Sequence, residues 1–204
     1  MQISISIEPY LTAEKSKLIQ YLEEIVKISH KFNQGQVNLH FDYFKHNPET
    51  FRLVQNYTKQ ITVDLHLMQE SAPSVMGFRS VSCDFLHQPA KMPALNSKQV
   101  GLVLDLGCEI AEYETSIIQA SYIIIMTVKC GKSGQVFQPA ALDLIPHVRR
   151  LNPNAIIIID GGVNENNIET LKNAGVDVVV VGNYAKKCYE NGELLIGINR
   201  LLHN

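Results

Sequence analysis

The sequence predicts an α/β fold, a single compact (β/α)8 barrel of the TIM type spanning residues 1–204. Three observations lead there. Eight short runs rich in β-branched residues recur along the chain, separated by longer amphipathic or polar stretches. Several of them, such as SYIIIMTV and VDVVVVG, are apolar at nearly every position, as expected of strands covered on both faces. The number of runs suits a closed parallel barrel, whereas an open sheet of about five strands would leave several without a role.

The elements follow in order. QISISI ends near Ser6, and a helix is expected over Thr12–Lys31 with Thr12 as its N-cap. QVNLHFD ends with His40 and Asp42, and Pro48–Lys59 forms the next helix. ITVDLHL ends with His66. FRSVSC and QVGLVLD are the fourth and fifth runs, and the helices after the third and fourth runs are short, which makes the barrel compact. SYIIIMTV passes into KCGKSGQ and then a helix over Ala140–Leu151. AIIIIDGG carries Asp160, and its helix covers Asn164–Ala174, with Asn164 and Asn167 as a cap and Gly175 at the C′ position. VDVVVVG leads into Gly182-Asn183, and a last helix lies near Glu193–Leu202.

Composition narrows the classes. Hydrophobic residues make up 46% and charged residues 19%, values of a folded chain rather than a disordered one. A formal net charge of -2 favours neither nucleic acid nor an anionic membrane as partner. Cys83, Cys108, Cys130 and Cys188 form no C-x-x-C pair, which argues against a zinc ribbon or a disulfide framework and for a reducing, cytoplasmic setting. MQISISIEPY does not read as a signal peptide, and the apolar runs are too short to cross a bilayer. No low-complexity segment or linker divides the chain.

In barrels of this kind the chemistry sits at the C-terminal ends of the strands. His40 and Asp42 are two apart and share a face. His66 and Asp160 join them at the same end. Two imidazoles and two carboxylates are the donor types that suit a borderline divalent metal such as zinc. Each residue alone has a plainer explanation. A histidine at a strand end is more often a core or surface residue, and an Asp before two glycines makes an ordinary turn. Asp64 shares the face of His66 and suits an ion pair inside the barrel. Four such residues at one end of one fold carry more weight than any of them singly. A second cluster comprises Gly131–Gln135, Gly161–Gly162 and Gly182–Asn183, after the sixth, seventh and eighth runs. Glycine lets backbone N–H groups approach an anion, and a following helix N-terminus favours negative charge. One glycine loop is a tight turn; three in adjacent loops point to phosphate.

With these residues the chain resembles the ribulose-phosphate 3-epimerases and relatives that epimerise other ketose phosphates, over nearly its whole length. VDLHLM is close to the family's D-V-H-L-M, and LHFD matches its H-x-D. GLVLD resembles G-L-A-L-N. IMTVKCGKSGQVFQP follows I-M-T-V-x-P-G-F-G-G-Q-x-F-x-P, and IDGGVNENNI follows V-D-G-G-V. The resemblance implies one divalent metal ion per chain, zinc first, with iron, manganese or cobalt as alternatives, held by His40, Asp42, His66 and Asp160. It implies Asp42 and Asp160 as acid and base, and Ser6, His66, Met68 and Met126 along the substrate. Gly131, Lys132, Ser133, Gly134, Gly161, Gly162, Gly182 and Asn183 match the phosphate loops. The implied reaction is epimerisation at carbon 3 of a ketose phosphate, ribulose 5-phosphate to xylulose 5-phosphate, in the pentose phosphate pathway. One base cannot readily serve both faces of the carbon; two carboxylates on opposite sides can, through an ene-diolate. A sugar phosphate is thus the expected partner, and a homo-oligomer the expected state.

The walls of the site depart from the family. Asp42 is followed by Tyr43–His46 in place of V-M-D-G, so that Phe44 replaces a Met and Lys45 an acid. Ser82 stands for a His, Asp105-Leu106 for Asn-Pro, Cys130 for Pro, Lys132 for Phe and Asn183 for Ser. These changes spare the four candidate ligands. They leave open a six-carbon substrate such as allulose 6-phosphate, and a catalytically silent paralogue that binds a sugar phosphate or a partner protein. A decarboxylase ranks last, because VDLHLM offers Asp64 but no lysine. Lys129 and Lys132 flank Gly131, and Lys132 is expected to reach the substrate phosphate, against the plainer expectation of a solvated lysine.

Overall fold

Alternation of side chains along the β-branched runs sets the architecture. The structure is a computed structural model and describes residues 1–43, 48–68, 77–83, 100–130 and 134–203. Its strands are β1 (Gln2–Ser6), β2 (Val37–Tyr43), β3 (Val63–Leu67), β4 (Ser80–Cys83), β5 (Val100–Leu104), β6 (Tyr122–Met126), β7 (Ile156–Asp160) and β8 (Val178–Val181). They pair in chain order, all parallel, and β8 pairs back with β1, so the curled sheet closes on itself. The helices are α1 (Lys15–Ser29), α2 (Pro48–Gln55), α3 (Glu114–Gln119), α4 (Leu144–Leu151), α5 (Ile168–Asn173), α6 (Asn183–Glu190) and α7 (Leu194–His203). The α/β class and the parallel sheet are as the sequence predicts. The segments after β3 and β4, where short helices are expected, fall largely outside the described residues.

Each strand offers two faces. The outer face, with Ile3, Ile5, Leu39, Phe41 and Leu65, joins α1 and α7 residues such as Leu22, Ile25 and Ile198 in one continuous core. Full burial of each such side chain contributes about 1.5–3 kcal/mol. Phe51 of α2 packs against Tyr43 and Phe78, with ring centroids 5.3 and 5.5 Å away.

The inner face is split by chemistry. Strands β1 to β3 turn Ser4, Ser6, Asn38, His40, Asp42, Asp64 and His66 inward, all buried. Strands β5 to β8 contribute Val103, Ile124, Met126, Ile158, Val178 and Val180, a separate apolar cluster. Toward the N-terminal end of the polar half, Asp64 accepts a hydrogen bond from Ser4 Oγ at 2.9 Å and pairs with Arg79 Nε at 3.2 Å. That is the ion pair the sequence suggested for Asp64.

Several helix limits differ from expectation. Thr12 caps nothing: Pro9 sits in a 3-10 turn over Glu8–Tyr10, and the Ala13 N–H bonds Tyr10 O, so α1 begins only at Lys15. Helix α2 ends at Gln55 because the next amides turn back to carbonyls three residues earlier. A 3-10 turn over Pro139–Asp143 precedes α4. Pro146 falls in the first turn of α4, where its missing N–H costs nothing. Helix α5 starts later than expected, at Ile168, but the asparagine signal is real: Asn164 N–H bonds Asn167 Oδ1 and Asn166 N–H bonds Asn164 Oδ1, both at 2.9 Å. Gly175, at φ +77°, closes α5 as expected, with Val176 N–H on Leu171 O and Gly175 N–H on Lys172 O. Helices α3 and α6 are not among those expected from sequence.

Candidate active site and metal centre

Strand register assembles the site. Ser6 lies beside His40, Asp42 beside His66, and Met126 beside Asp160. His40, Asp42, His66 and Asp160 each offer one donor atom, all within 4.8 Å of one another. Asp42 Oδ1 stands 3.0 Å from His66 Nδ1 and 3.3 Å from His40 Nε2, and His40 Nε2 is 3.8 Å from Asp160 Oδ2. Donors held about 2.0–2.1 Å from one tetrahedral ion lie roughly 3.3 Å apart. The observed spacings and the two-nitrogen, two-oxygen donor set therefore fit a divalent metal.

Burial makes the electrostatics strong. Both imidazoles are almost fully buried, at 2% and 0% exposed. Burial pulls the His40 pKa down, but the Asp42 and Asp160 carboxylates beside it win, and the net shift is upward. Burial likewise opposes ionisation of Asp42, yet the two histidines hold its carboxyl far below the usual range.

The remaining predicted residues that the structure describes line a cavity of about 710 Å³ above this cluster. Met68, Met126 and His66 form part of its wall. Ser6 also lines it, while its Oγ donates to Asp42 Oδ2 at 3.5 Å and accepts from Glu8 N–H at 3.1 Å. His40 is not part of the wall and lies buried at the cluster.

The glycine loops also line the cavity and touch one another. Gly162 has φ +63°, and a Cβ there would lie 2.7 Å from Phe137 N. A Cβ on Gly134 would meet Asn183 Nδ2 at 2.8 Å, so the loops after β6 and β8 touch. Gly182 differs: its φ is -99°, and it is the N-cap of α6, whose first amides are free to face an anion. Gly131, Lys132 and Ser133, like Phe44 and Lys45, lie outside the described residues.

Sequence reasoning missed some residues. Thr127 is fully buried, and its hydroxyl donates to the carbonyls of Asp160 and Gly161. The available signal was a hydroxyl residue inside the otherwise apolar IIIMTV stretch. Cys130 and Asp105, noted only as departures, are partners: Cys130 Sγ donates to Asp105 Oδ1 at 3.2 Å. Farther out, Tyr184 Oη donates to Glu165 Oε1 at 2.6 Å, and Arg200 pairs with the same oxygen at 3.4 Å. The Tyr184 bond, with Arg200, lowers the Glu165 pKa.

Residues 28–185 match the ribulose-phosphate 3 epimerase family. A ribulose-phosphate 3-epimerase of Aquifex aeolicus is 35% identical over 101 residues, covering 48% of this chain and 46% of that protein. The Helicobacter pylori J99 protein of the same name is 28% identical, covering 65% of this chain and 69% of its own. The one from Escherichia coli K12 is 26% identical, covering 66% and 67%. Among solved structures, the tryptophan synthase alpha-subunit of Pyrococcus furiosus superposes with a TM-score of 0.64 at 12% identity, covering 99% of this chain and 97% of that one. Thiamine phosphate pyrophosphorylase of Pyrococcus furiosus gives 0.63 at 13%, covering 98% and 93%. At such identities the likeness concerns the fold alone. Among the described residues, no helix is long and apolar enough to cross a membrane.

Proposed function

The chain belongs to the ribulose-phosphate 3 epimerase family, enzymes of the isomerase class, and from that premise we propose that it inverts carbon 3 of a ketose phosphate, interconverting ribulose 5-phosphate and xylulose 5-phosphate. The observation that carries this reading is the pairing of Asp42 from β2 with Asp160 from β7 in one compact His/Asp cluster at the cavity floor. Two carboxylates reaching one carbon from different walls are what inversion at that carbon requires.

In this reading one Asp starts as carboxylate and the other as carboxylic acid. The carboxylate takes the carbon 3 proton, and the electron pair moves into the adjacent carbonyl to give an ene-diolate. The carboxylic acid then delivers its proton to the opposite face, so the two groups end with their protonation states exchanged. His40 and His66 orient Asp42, and Met68 and Met126 keep water from the reacting carbon. His40, Asp42, His66 and Asp160 would hold one divalent metal, zinc by their donor set, which supplies positive charge where the ene-diolate oxygens become negative. Backbone N–H groups of the Gly134, Gly161–Gly162 and Gly182–Asn183 loops, with the α6 N-terminus, are assigned to the phosphate; Gly131, Lys132 and Ser133 are assigned to it as well. The same proposal includes a complete (β/α)8 alternation, one domain over 1–204, a homo-oligomer and a cytoplasmic setting.

The test is turnover by the zinc-loaded protein on a panel of pentulose and hexulose phosphates, with Asp42→Asn and Asp160→Asn in parallel. Wild-type turnover on ribulose 5-phosphate, lost by at least a hundredfold in both folded variants, is expected. Turnover confined to hexulose phosphates would change the substrate, and binding without turnover would favour a silent paralogue. A variant of either Asp with near-wild-type activity would overturn the two-carboxylate mechanism.

A further inference from the structure

We propose that Thr127 is a positioning residue for Asp160, and that its hydroxyl holds the end of β7 in its working geometry. The inference rests on the epimerase reading for its kinetic consequence, but its geometry stands apart from that reading. Thr127 immediately follows β6 and is 0% exposed. Its N–H donates to Asp160 O at 2.8 Å, and its Oγ1 donates to the same oxygen at 3.0 Å. The Oγ1 proton is shared with Gly161 O, since a hydroxyl has a single proton to give. The Thr127 carbonyl is used as well, accepting Gln138 N–H at 2.9 Å.

The two bonds to Asp160 O act on the peptide unit that joins Asp160 to Gly161, and the branch to Gly161 O acts on the next unit. Two donors from one residue engage the Asp160 carbonyl and fix the orientation of that plane. On one side the plane carries Asp160, whose carboxylate stands 3.8 Å from His40 Nε2. On the other side the chain enters Gly161 at φ +118°, a conformation that only glycine adopts readily. There is no slack at this point: a Cβ on Gly161 would lie 2.9 Å from Thr127 Oγ1 and 2.5 Å from Val128 Cγ2. Without the hydroxyl, the Gly161 carbonyl loses that bond, while the Asp160 carbonyl keeps the one from the Thr127 N–H. The plane is then held less firmly and can tilt, and the carboxylate moves with it. Misplacement of a reacting group by about 1 Å can cost about a hundredfold in rate, and loss of an outer partner of a metal ligand typically costs about 10–100-fold in affinity or activity.

The experiment compares wild type, Thr127→Val and Thr127→Ser. Val keeps the shape without the hydroxyl; Ser keeps the hydroxyl without the methyl. Each is measured for zinc affinity by competition with a chromogenic chelator, and for kcat and KM on ribulose 5-phosphate. Thr127→Val should lose about tenfold in zinc affinity and about tenfold in kcat, with a smaller change in KM, while Thr127→Ser stays within about threefold of wild type in both. Should Thr127→Val not fold, Thr127→Cys, with a weak donor of similar size, should fall between wild type and that expectation. A Val (or Cys) variant equal to wild type in both readouts would overturn the proposal. So would a Ser variant as impaired as Val, because the methyl packing would then matter and not the hydroxyl. If the wild type turns over no ketose phosphate, yet zinc affinity falls in Val and is kept in Ser, the positioning role stands and the epimerase reading fails.

Discussion

Replacing Gly162 with Ala should damage both stability and phosphate binding, whereas Gly182→Ala should be mild. Gly162 has φ +63°, where a residue with a Cβ costs about 1–2 kcal/mol. The new Cβ would also stand 2.7 Å from Phe137 N and 3.0 Å from its Cα. That neighbour is backbone and cannot retreat cheaply, because the adjacent Gln138 N–H is tied to Thr127 O at 2.9 Å. Strain and overlap together should cost about 2–3 kcal/mol, offset by less than about 1 kcal/mol from the stiffer unfolded chain. In a protein of this size each kcal/mol lowers Tm by about 2–4 °C, so the net loss should lower the melting point by about 2–12 °C. The loop displacement should raise KM for the phosphorylated substrate more than it lowers kcat. Gly182 is the control: its φ is -99°, and its Cβ would meet only Pro9 Cγ at 3.6 Å and Ser6 Cβ at 3.8 Å, ordinary contacts. Its loss as an N-cap costs about 1 kcal/mol at most. Thermal melts with steady-state kinetics on both variants decide the matter. Unchanged melting and KM in Gly162→Ala, or equal damage from Gly182→Ala, would refute the reasoning.

Further outcomes are expected. Elemental analysis of the purified protein should find about one divalent metal per chain, and His66→Ala should reduce its affinity by more than a hundredfold, because one of the four donors is lost; retained stoichiometry and affinity in that variant would place the metal elsewhere. Above neutral pH Tyr10 and Tyr21, whose ring centroids lie 4.6 Å apart, should resist ionisation. Burial, then Glu190, raises Tyr10 to about 12, and burial raises Tyr21 further. A raised folded pKa gives stability that is complete below the unfolded value of about 10 and is lost as pH climbs through about 12. Phenolate absorbance should therefore lag behind that of the denatured chain, and coincident curves would contradict this. Arg149 ties α4 to the chain entering β7 and β8, through Ala155 O, Gly175 O at 3.0 Å and Asp177 Oδ2 at 2.6 Å. Arg149→Ala should cost about 2 kcal/mol in denaturant unfolding and leave KM alone, since these contacts lie at the N-terminal ends of the strands; a KM change as large as that of Gly162→Ala would be inconsistent.

The parts legible in the sequence are those where spacing converts directly into geometry. A strand has a period of two, so His40 and Asp42 had to share a face, and parallel register then put Asp42 beside His66. Helix starts were less legible. Thr12 has the chemistry of a cap, but Pro9 commits the preceding residues to a 3-10 turn and the helix begins beyond it. Helices α3 and α6 are mostly polar and bury Ile117 and Ala185 respectively, so they show no clear apolar period. The three glycine loops looked alike in sequence; backbone angles separate Gly161 and Gly162, whose positive φ favours glycine, from Gly182, whose φ is negative. Thr127 was invisible as a site residue because its partners are carbonyls of another strand, and every residue type has a carbonyl.

The division of the barrel interior bears on the proposed chemistry. Asp42 stands in the polar half, faced by both histidines and by the Ser6 hydroxyl. Asp160 enters from the apolar half, with Met126 and Val180 as its neighbours in register. The two carboxylates are therefore not equivalent in surroundings, although they meet at one cluster. A substrate lying between the walls would place its oxygens toward β1 to β3, where donors and charges are concentrated, and the carbon that changes hands toward β6 to β8. Water near that carbon would protonate an ene-diolate from either side and erase the control that two placed acids provide. An apolar wall excludes it, and in that drier setting each placed charge acts over less screening. A carboxylate entering from such a wall also takes its angle from the chain that carries it, so the backbone behind it matters. The bonds from the Thr127 N–H and hydroxyl to the Asp160 and Gly161 carbonyls act on that backbone.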